Sequence, residues 1–101
     1  MRVFEQGRRV VVSGAARGIG RAIALAFARK GDRLVLLDRD GDRLAQVVEV
    51  CRSSAREVYP VMEDVGDPAG ACAGVKAALE AWDGLDVLVN NAGILTQAAC
   101  V

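Results

Sequence analysis

The chain has 101 residues and a mass of 10.6 kDa, which is room for one domain and too little for two separate cores. Hydrophobic residues make up 52%, charged residues 26% and aromatics 4%, a balance that excludes disorder as the main state and points to a globule built from aliphatic side chains. Basic and acidic residues each total 13, so the formal charge is zero and no overall basic field draws the chain to nucleic acid or to an anionic membrane.

The run Arg9 to Ser13 (RVVVS) is short and β-branched and ends at Gly14, which predicts a buried strand followed by a turn. From Gly18 onward Ile19, Ile23, Ala26 and Phe27 recur on one helical face, and Gly31-Asp32 supplies a stop, so a helix is expected from about Gly18 to Lys30. Arg33 to Asp38 (RLVLLD) is a continuous apolar run, as expected of a strand covered on both faces of a parallel sheet.

From Asp42 to about Ser54, Leu44, Val47, Val48 and Cys51 share one face and predict a second helix. Glu57 to Asp64 (EVYPVMED) predicts a third strand, at an edge because Pro60 has no N–H to give to a ladder. Asp67-Pro68 is an N-cap followed by proline at the first helical position, and Val75, Ala78, Leu79 and Trp82 then align at helical spacing before Gly84. Gly70 and Gly74 weaken that helix by about 1 kcal/mol each relative to alanine. Asp86 to Asn90 (DVLVN) predicts a fourth strand, broken by Asn91-Ala92-Gly93.

Strands alternating with helices imply parallel pairing through right-handed crossovers, hence an α/β fold with an open, doubly wound parallel sheet. The order 3-2-1-4 leaves the proline-bearing third strand at the edge. The chain reads as one domain over residues 1–101, without repeats or a low-complexity linker.

Histidine is absent, which excludes Ser-His-Asp and Cys-His nucleophile arrangements and any His-containing metal site. Cys51, Cys72 and Cys100 are an odd number at wide spacings with no CxxC, so reduced thiols in a cytoplasmic protein are the plain expectation, and no metal site is expected. The start, MRVFEQGRR, carries charge without a following apolar stretch, and the longest apolar run, Ala22 to Ala28, is too short to span a bilayer. Charge is uneven along the chain: residues 1–33 carry Arg2, Arg8, Arg9, Arg17, Arg21, Arg29, Lys30 and Arg33 against Glu5 and Asp32, a net +6 that the remainder balances at −6. Such a distribution is either a set of solvated helix faces or a positive neighbourhood for a phosphate, depending on where Arg17 sits.

In a sheet of this kind ligands bind beyond the carboxyl ends of the strands. The first strand ends in Ser13-Gly14-Ala15-Ala16-Arg17-Gly18-Ile19-Gly20, where Gly14 permits a tight turn, Gly18 lets backbone approach a pyrophosphate and Gly20 allows close helix packing. The alternative is a purely structural turn; the strand-turn-helix setting favours dinucleotide binding. Asp38, 18 positions beyond Gly20, sits close to the offset at which an acidic residue meets the adenosine ribose hydroxyls, the alternative being a surface aspartate. Its carboxylate opposes a 2′-phosphate that Arg17 and Arg39 would attract, so NAD is preferred over NADP as the cofactor. At the third strand end Asp64 can accept from an adenine amino group and Val65 can line the ring, or Asp64 can simply cap a turn. At the fourth, the amides of Asn90-Asn91 can tie loose backbone together while Ala92 and Gly93 leave room for a cofactor, or the asparagines can simply end a strand.

Together these features resemble the short-chain dehydrogenase/reductase family. Its Thr-Gly-x-x-x-Gly-Ile-Gly motif is matched by Ser13 to Gly20 with serine in place of threonine, its adenine-contacting Asp by Asp64, and its Asn-Asn-Ala-Gly motif by Asn90 to Gly93. The resemblance covers essentially the whole chain. It implies a Rossmann-type fold, with Gly14, Arg17, Ile19, Asp38, Asp64, Val65 and Asn90 as cofactor contacts, and hydride transfer between a nicotinamide and an alcohol or ketone.

The family's catalytic asparagine, serine and Tyr-x-x-x-Lys pair lie downstream of the Asn-Asn-Ala-Gly motif. Here Tyr59 lies upstream, position 63 is Glu63, and the sequence ends at Val101. The expectation is therefore an incomplete domain, the cofactor-binding half, without turnover by itself; the alternative is a non-enzymatic NAD(H)-binding or interaction module. A small-molecule alcohol or ketone partner is expected only of a full-length form. With the apolar run Val87-Leu88-Val89 on an unpaired outer strand, the chain is expected to self-associate through that open edge.

Overall fold

In the computed structural model, which describes residues 7–63 and 68–91, the elements follow in the order β1 (Arg9–Ser13), α1 (Gly18–Arg29), β2 (Arg33–Asp38), α2 (Gly41–Arg52), β3 (Glu57–Met62), α3 (Pro68–Trp82) and β4 (Val87–Asn90). The four strands form one parallel sheet in the order β3-β2-β1-β4, as the sequence implies. Register places Val11 opposite Val35 on one side and Leu88 on the other. Pro60 stands opposite Leu36 on β3, which among the described residues pairs only with β2, so the proline lies on an edge strand as its missing N–H requires.

Successive side chains point to opposite faces, and both faces of the two central strands are covered. Val10, Val12, Leu34 and Leu36 pack beneath α1 and α2 with Ala24, Ala28, Leu44, Val47, Val48 and Cys51. Val11, Val35 and Leu37 face α3 and meet Ala78, with Ala77 and Trp82 partly buried around them. Among the described residues two helices therefore cover one face and a single helix the other.

The buried residues of α2 are those that its periodicity selects, Leu44, Val47, Val48 and Cys51. In α1 the packing stripe is different from the expected one: Gly20, Ala24 and Ala28 are buried, whereas Ile19 is 72% exposed and Ala26 is also exposed. A helix lying close on a sheet puts its smallest residues at the line of contact, and Ile23, Leu25 and Phe27 flank that line, partly buried. The expected stripe on α3 is also shifted, since Leu79 is 49% exposed while Cys72, Gly74 and Ala78 are buried. A Cβ at Gly74 would overlap the Leu37 side chain, so this glycine, weak for the helix, is what lets α3 approach β2. Cys51 is a free, buried thiol whose pKa is pushed up by that burial and drawn back by Arg21.

At the amino ends of the strands two ion pairs tie neighbouring segments. Arg8 binds Asp32 at 2.8 Å with its guanidinium stacked 5.1 Å over the Phe27 ring, and Arg9 binds Asp86 at 2.9 Å. This takes two of the amino-terminal cations into structural roles, far from the carboxyl ends of the sheet. Among the described residues no helix is long and apolar enough to cross a membrane.

Candidate dinucleotide site

Successive strands step outward from β1 to β2 to β3 and then jump back across the sheet to β4, so the topological switch point lies between the carboxyl ends of β1 and β4. The glycine-rich turn leaves β1 at this point. Gly14 has φ +64° and Gly18 φ +61°, left-handed conformations that exclude most side chains at modest cost only to glycine. Between them the turn dips into the protein, with Ala15 and Ala16 buried at 0% and 3% exposure and the Ala15 N–H donating to the Leu37 carbonyl at 3.0 Å.

It then rises to solvent at Arg17, Gly18 and Ile19. Among the described residues a Cβ on Gly18 would meet nothing within 4 Å, whereas one on Gly20 would run into the Gly14 carbonyl and lie 2.8 Å from Asn91 Nδ2. The two glycines thus do different things: Gly18 leaves open space above the turn, and Gly20 closes the helix onto it. The Arg17 side chain makes no capping hydrogen bond to α1, and no acidic residue occupies the first turn of that helix. Among the described residues the first-turn amides and the positive end of the helix dipole meet no acidic side chain of the helix, a setting suited to an anionic oxygen.

Asp38, at the end of β2, is 7% exposed. Its Oδ2 accepts the Ala16 N–H at 3.1 Å and its Oδ1 accepts the Asp40 N–H at 3.0 Å. A carboxylate has acceptor capacity for about four hydrogen bonds, so these two leave capacity for a ligand hydroxyl. Arg39 next to it is exposed, and the Asp40 side chain caps α2 by accepting from the Arg43 N–H at 3.1 Å.

At the end of β4 the Ser13 hydroxyl, 2% exposed, lies 3.3 Å from the Val89 carbonyl and 3.4 Å from Asn90 Oδ1. Asn91 Nδ2 donates to the Gly14 carbonyl at 3.3 Å. The structure therefore gathers Gly14, Arg17, Gly18, Ile19, Gly20, Asp38 and Asn90 at the carboxyl ends of β1, β2 and β4; Asp64, Val65, Ala92 and Gly93 lie outside the described residues. Ala16 joins the site as a residue that the sequence did not single out, and Asn91 ties down loose backbone in the way the paired asparagines at the end of β4 suggested, although it was not assigned to the cofactor.

The chemistry-bearing residues elsewhere are committed to other work. Tyr59 projects from the middle of β3, its hydroxyl donating to Glu57 Oε1 at 2.8 Å, and this hydrogen bond raises its pKa. Glu57 Oε2 accepts from Trp82 Nε1 at 3.2 Å, and the Tyr59 and Trp82 rings stand 5.9 Å apart, so the group clamps α3 to the edge strand towards its amino end. Among the described residues no cluster of three or more His, Cys, Asp or Glu side chains is arranged to hold a metal ion.

A parallel sheet in this order, with a glycine turn feeding an uncapped helix at its switch point, defines a Rossmann-like nucleotide-binding protein. Residues 8–100 match the family model described as short chain dehydrogenase, and the chain belongs to that family of oxidoreductases. It is 41% identical over 88 residues to the oxidoreductase UcpA of Escherichia coli K12, an alignment covering 87% of this chain and 33% of that protein. Among solved structures it resembles L-sorbose reductase from Gluconobacter frateurii, complexed with NADPH and L-sorbose, with a TM-score of 0.79, 37% identity, and coverage of 92% of this chain and 36% of the other. It also resembles a short chain dehydrogenase/reductase from Burkholderia phymatum in complex with NAD, with a TM-score of 0.76, 39% identity, and coverage of 84% and 30%. The chain spans about a third of the length of the relatives it matches.

Proposed function

We propose that these 101 residues form the cofactor-binding part of an NAD(P)-dependent short-chain dehydrogenase/reductase, whose complete reaction moves a hydride between a nicotinamide and an alcohol or ketone. The observation that carries the reading is the uncapped start of α1 above the open Gly18, at the switch point between β1 and β4. In this reading the first-turn amides receive the pyrophosphate, Arg17 and Ile19 flank it, and Asp38 accepts from the adenosine ribose hydroxyls. Asp64 and Val65 take the adenine, and Asn90, Ala92 and Gly93 line the far side of the cofactor.

NAD(H) is the proposed cofactor, with NADP(H) the weaker ligand, because a carboxylate at Asp38 repels a 2′-phosphate. A bound nicotinamide supplies the hydride donor or acceptor. The chain's own part is to bind and orient the dinucleotide, since proton transfer at a carbonyl requires a general acid within hydrogen-bond reach and Tyr59 is held by Glu57 away from the turn.

Titration of the chain with NADH, followed by cofactor fluorescence or calorimetry, is expected to give saturable binding. Assays with alcohol and ketone substrates are expected to give no turnover. Absence of any binding at millimolar NADH would refute the cofactor reading, and robust turnover would refute the division of labour.

A further inference from the structure

We propose that Asp38 is the positioning residue of the glycine-rich turn, holding the Ala16 amide and joining that turn to the β2–α2 loop whether or not a ligand is bound. The carboxylate is nearly buried and its two oxygens are divided between two backbone segments, Oδ2 receiving Ala16 N–H at 3.1 Å and Oδ1 receiving Asp40 N–H at 3.0 Å. The main chain on either side is used the same way: the Leu37 carbonyl accepts Ala15 N–H at 3.0 Å, and the Asp38 carbonyl accepts Glu63 N–H at 3.1 Å. One residue at the end of β2 thus touches the loops that follow β1, β2 and β3.

The side-chain chemistry is restrictive. Both partners are N–H donors, so both oxygens must accept, and only a carboxylate of this length does so. Asparagine offers one acceptor and turns an NH2 toward the other donor; alanine offers none. Ala16 is 3% exposed, so its amide has little water to turn to when the carboxylate is gone. The consequence for ligand binding rests on the dinucleotide reading: the residue assigned to the ribose also sets the backbone from which α1 starts, so replacing it loosens the phosphate end of the site as well. The positioning role itself is a property of the ligand-free chain.

The test is amide hydrogen exchange by NMR on the ligand-free chain, comparing Ala16 with Val11 in the same molecule so that global destabilisation cancels. In Asp38→Ala the Ala16 to Val11 exchange ratio is expected to rise about tenfold or more. The exposed neighbour serves as control, and Arg39→Ala is expected to leave that ratio unchanged. A parent-like ratio in a folded Asp38→Ala chain would overturn the proposal. Should that variant lose protection at Val11, the near-isosteric Asp38→Asn decides: a rise at Ala16 or Asp40 supports the proposal, and no change at either overturns it. NADH titration of the parent separates the two ideas, because failure to bind removes the dinucleotide reading and leaves the exchange result standing.

Discussion

Asn91 Nδ2 reaches across the switch point and donates to the Gly14 carbonyl at 3.3 Å, so the residue that follows β4 fastens the turn that follows β1. The same carbonyl is what a Cβ on Gly20 would strike. Three residues from three segments converge there on a single peptide group.

This convergence separates two substitutions that are chemically identical. Gly20→Ala puts a methyl group into the Gly14 backbone and is expected to cost about 1–3 kcal/mol and to abolish dinucleotide binding. Gly18→Ala meets no atom of the described residues within 4 Å and pays chiefly for its left-handed backbone, about 1 kcal/mol. Urea denaturation followed by Trp82 fluorescence would rank them; a Gly20→Ala chain as stable as Gly18→Ala would contradict the packing account.

Cofactor choice is expected to follow the charge at the end of β2. NAD(H) should bind more tightly than NADP(H), and Asp38→Ala should narrow the gap by removing both an acceptor for the ribose and a charge opposed to the 2′-phosphate. Parallel titrations with the two cofactors check this. Equal affinities in the parent would show that the exposed Arg17 and Arg39 offset the carboxylate.

Acid should act through Asp86. The Arg9 guanidinium hydrogen-bonds its carboxylate at 2.9 and 3.0 Å and the Arg9 backbone N–H adds a bond at 2.8 Å, which together hold the pKa at about 2, below the ordinary 3.8. A pKa lowered by folding stabilises the chain above the unfolded value and loses that stabilisation as pH falls through the folded one, here from about 4 to about 2. With the side chain 21% exposed, solvent screening reduces the contribution to about 1 kcal/mol. Asp86→Asn should flatten the fall in urea midpoint across this pH window; an identical slope in parent and variant would locate the acid sensitivity elsewhere.

The outer side of β4 is expected to drive self-association. Among the described residues β4 pairs only with β1, and Leu88 on its α3-facing side is 40% exposed, with Leu79 of α3 at 49%. An apolar strand with no described neighbour on its outer side, next to a half-covered face, invites a second chain. Sedimentation over a concentration series should show the average mass rising; a monomer that stays monomeric at high concentration and unfolds cooperatively would argue for a self-sufficient module.

Much of this architecture is local, and so was legible along the chain. Alternating apolar runs and amphipathic stretches implied the parallel sheet, Pro60 sent β3 to the edge, and the 3.6-residue period picked out the buried face of α2. The glycine turn was legible for the same reason, since its backbone geometry is imposed by residues within eight positions of one another. Tertiary structure decided what depends on distance between elements. It chose the small residues Gly20, Ala24 and Ala28 as the contact line of α1, because helix-to-sheet approach outweighs the size of an apolar side chain in setting which stripe is buried. It also brought Asp38 to Ala16 and Asn91 to Gly14, partners 22 and 77 residues apart, because a hydrogen bond between strand ends depends on which ends the sheet order makes neighbours, and no pattern along the chain carries that distance.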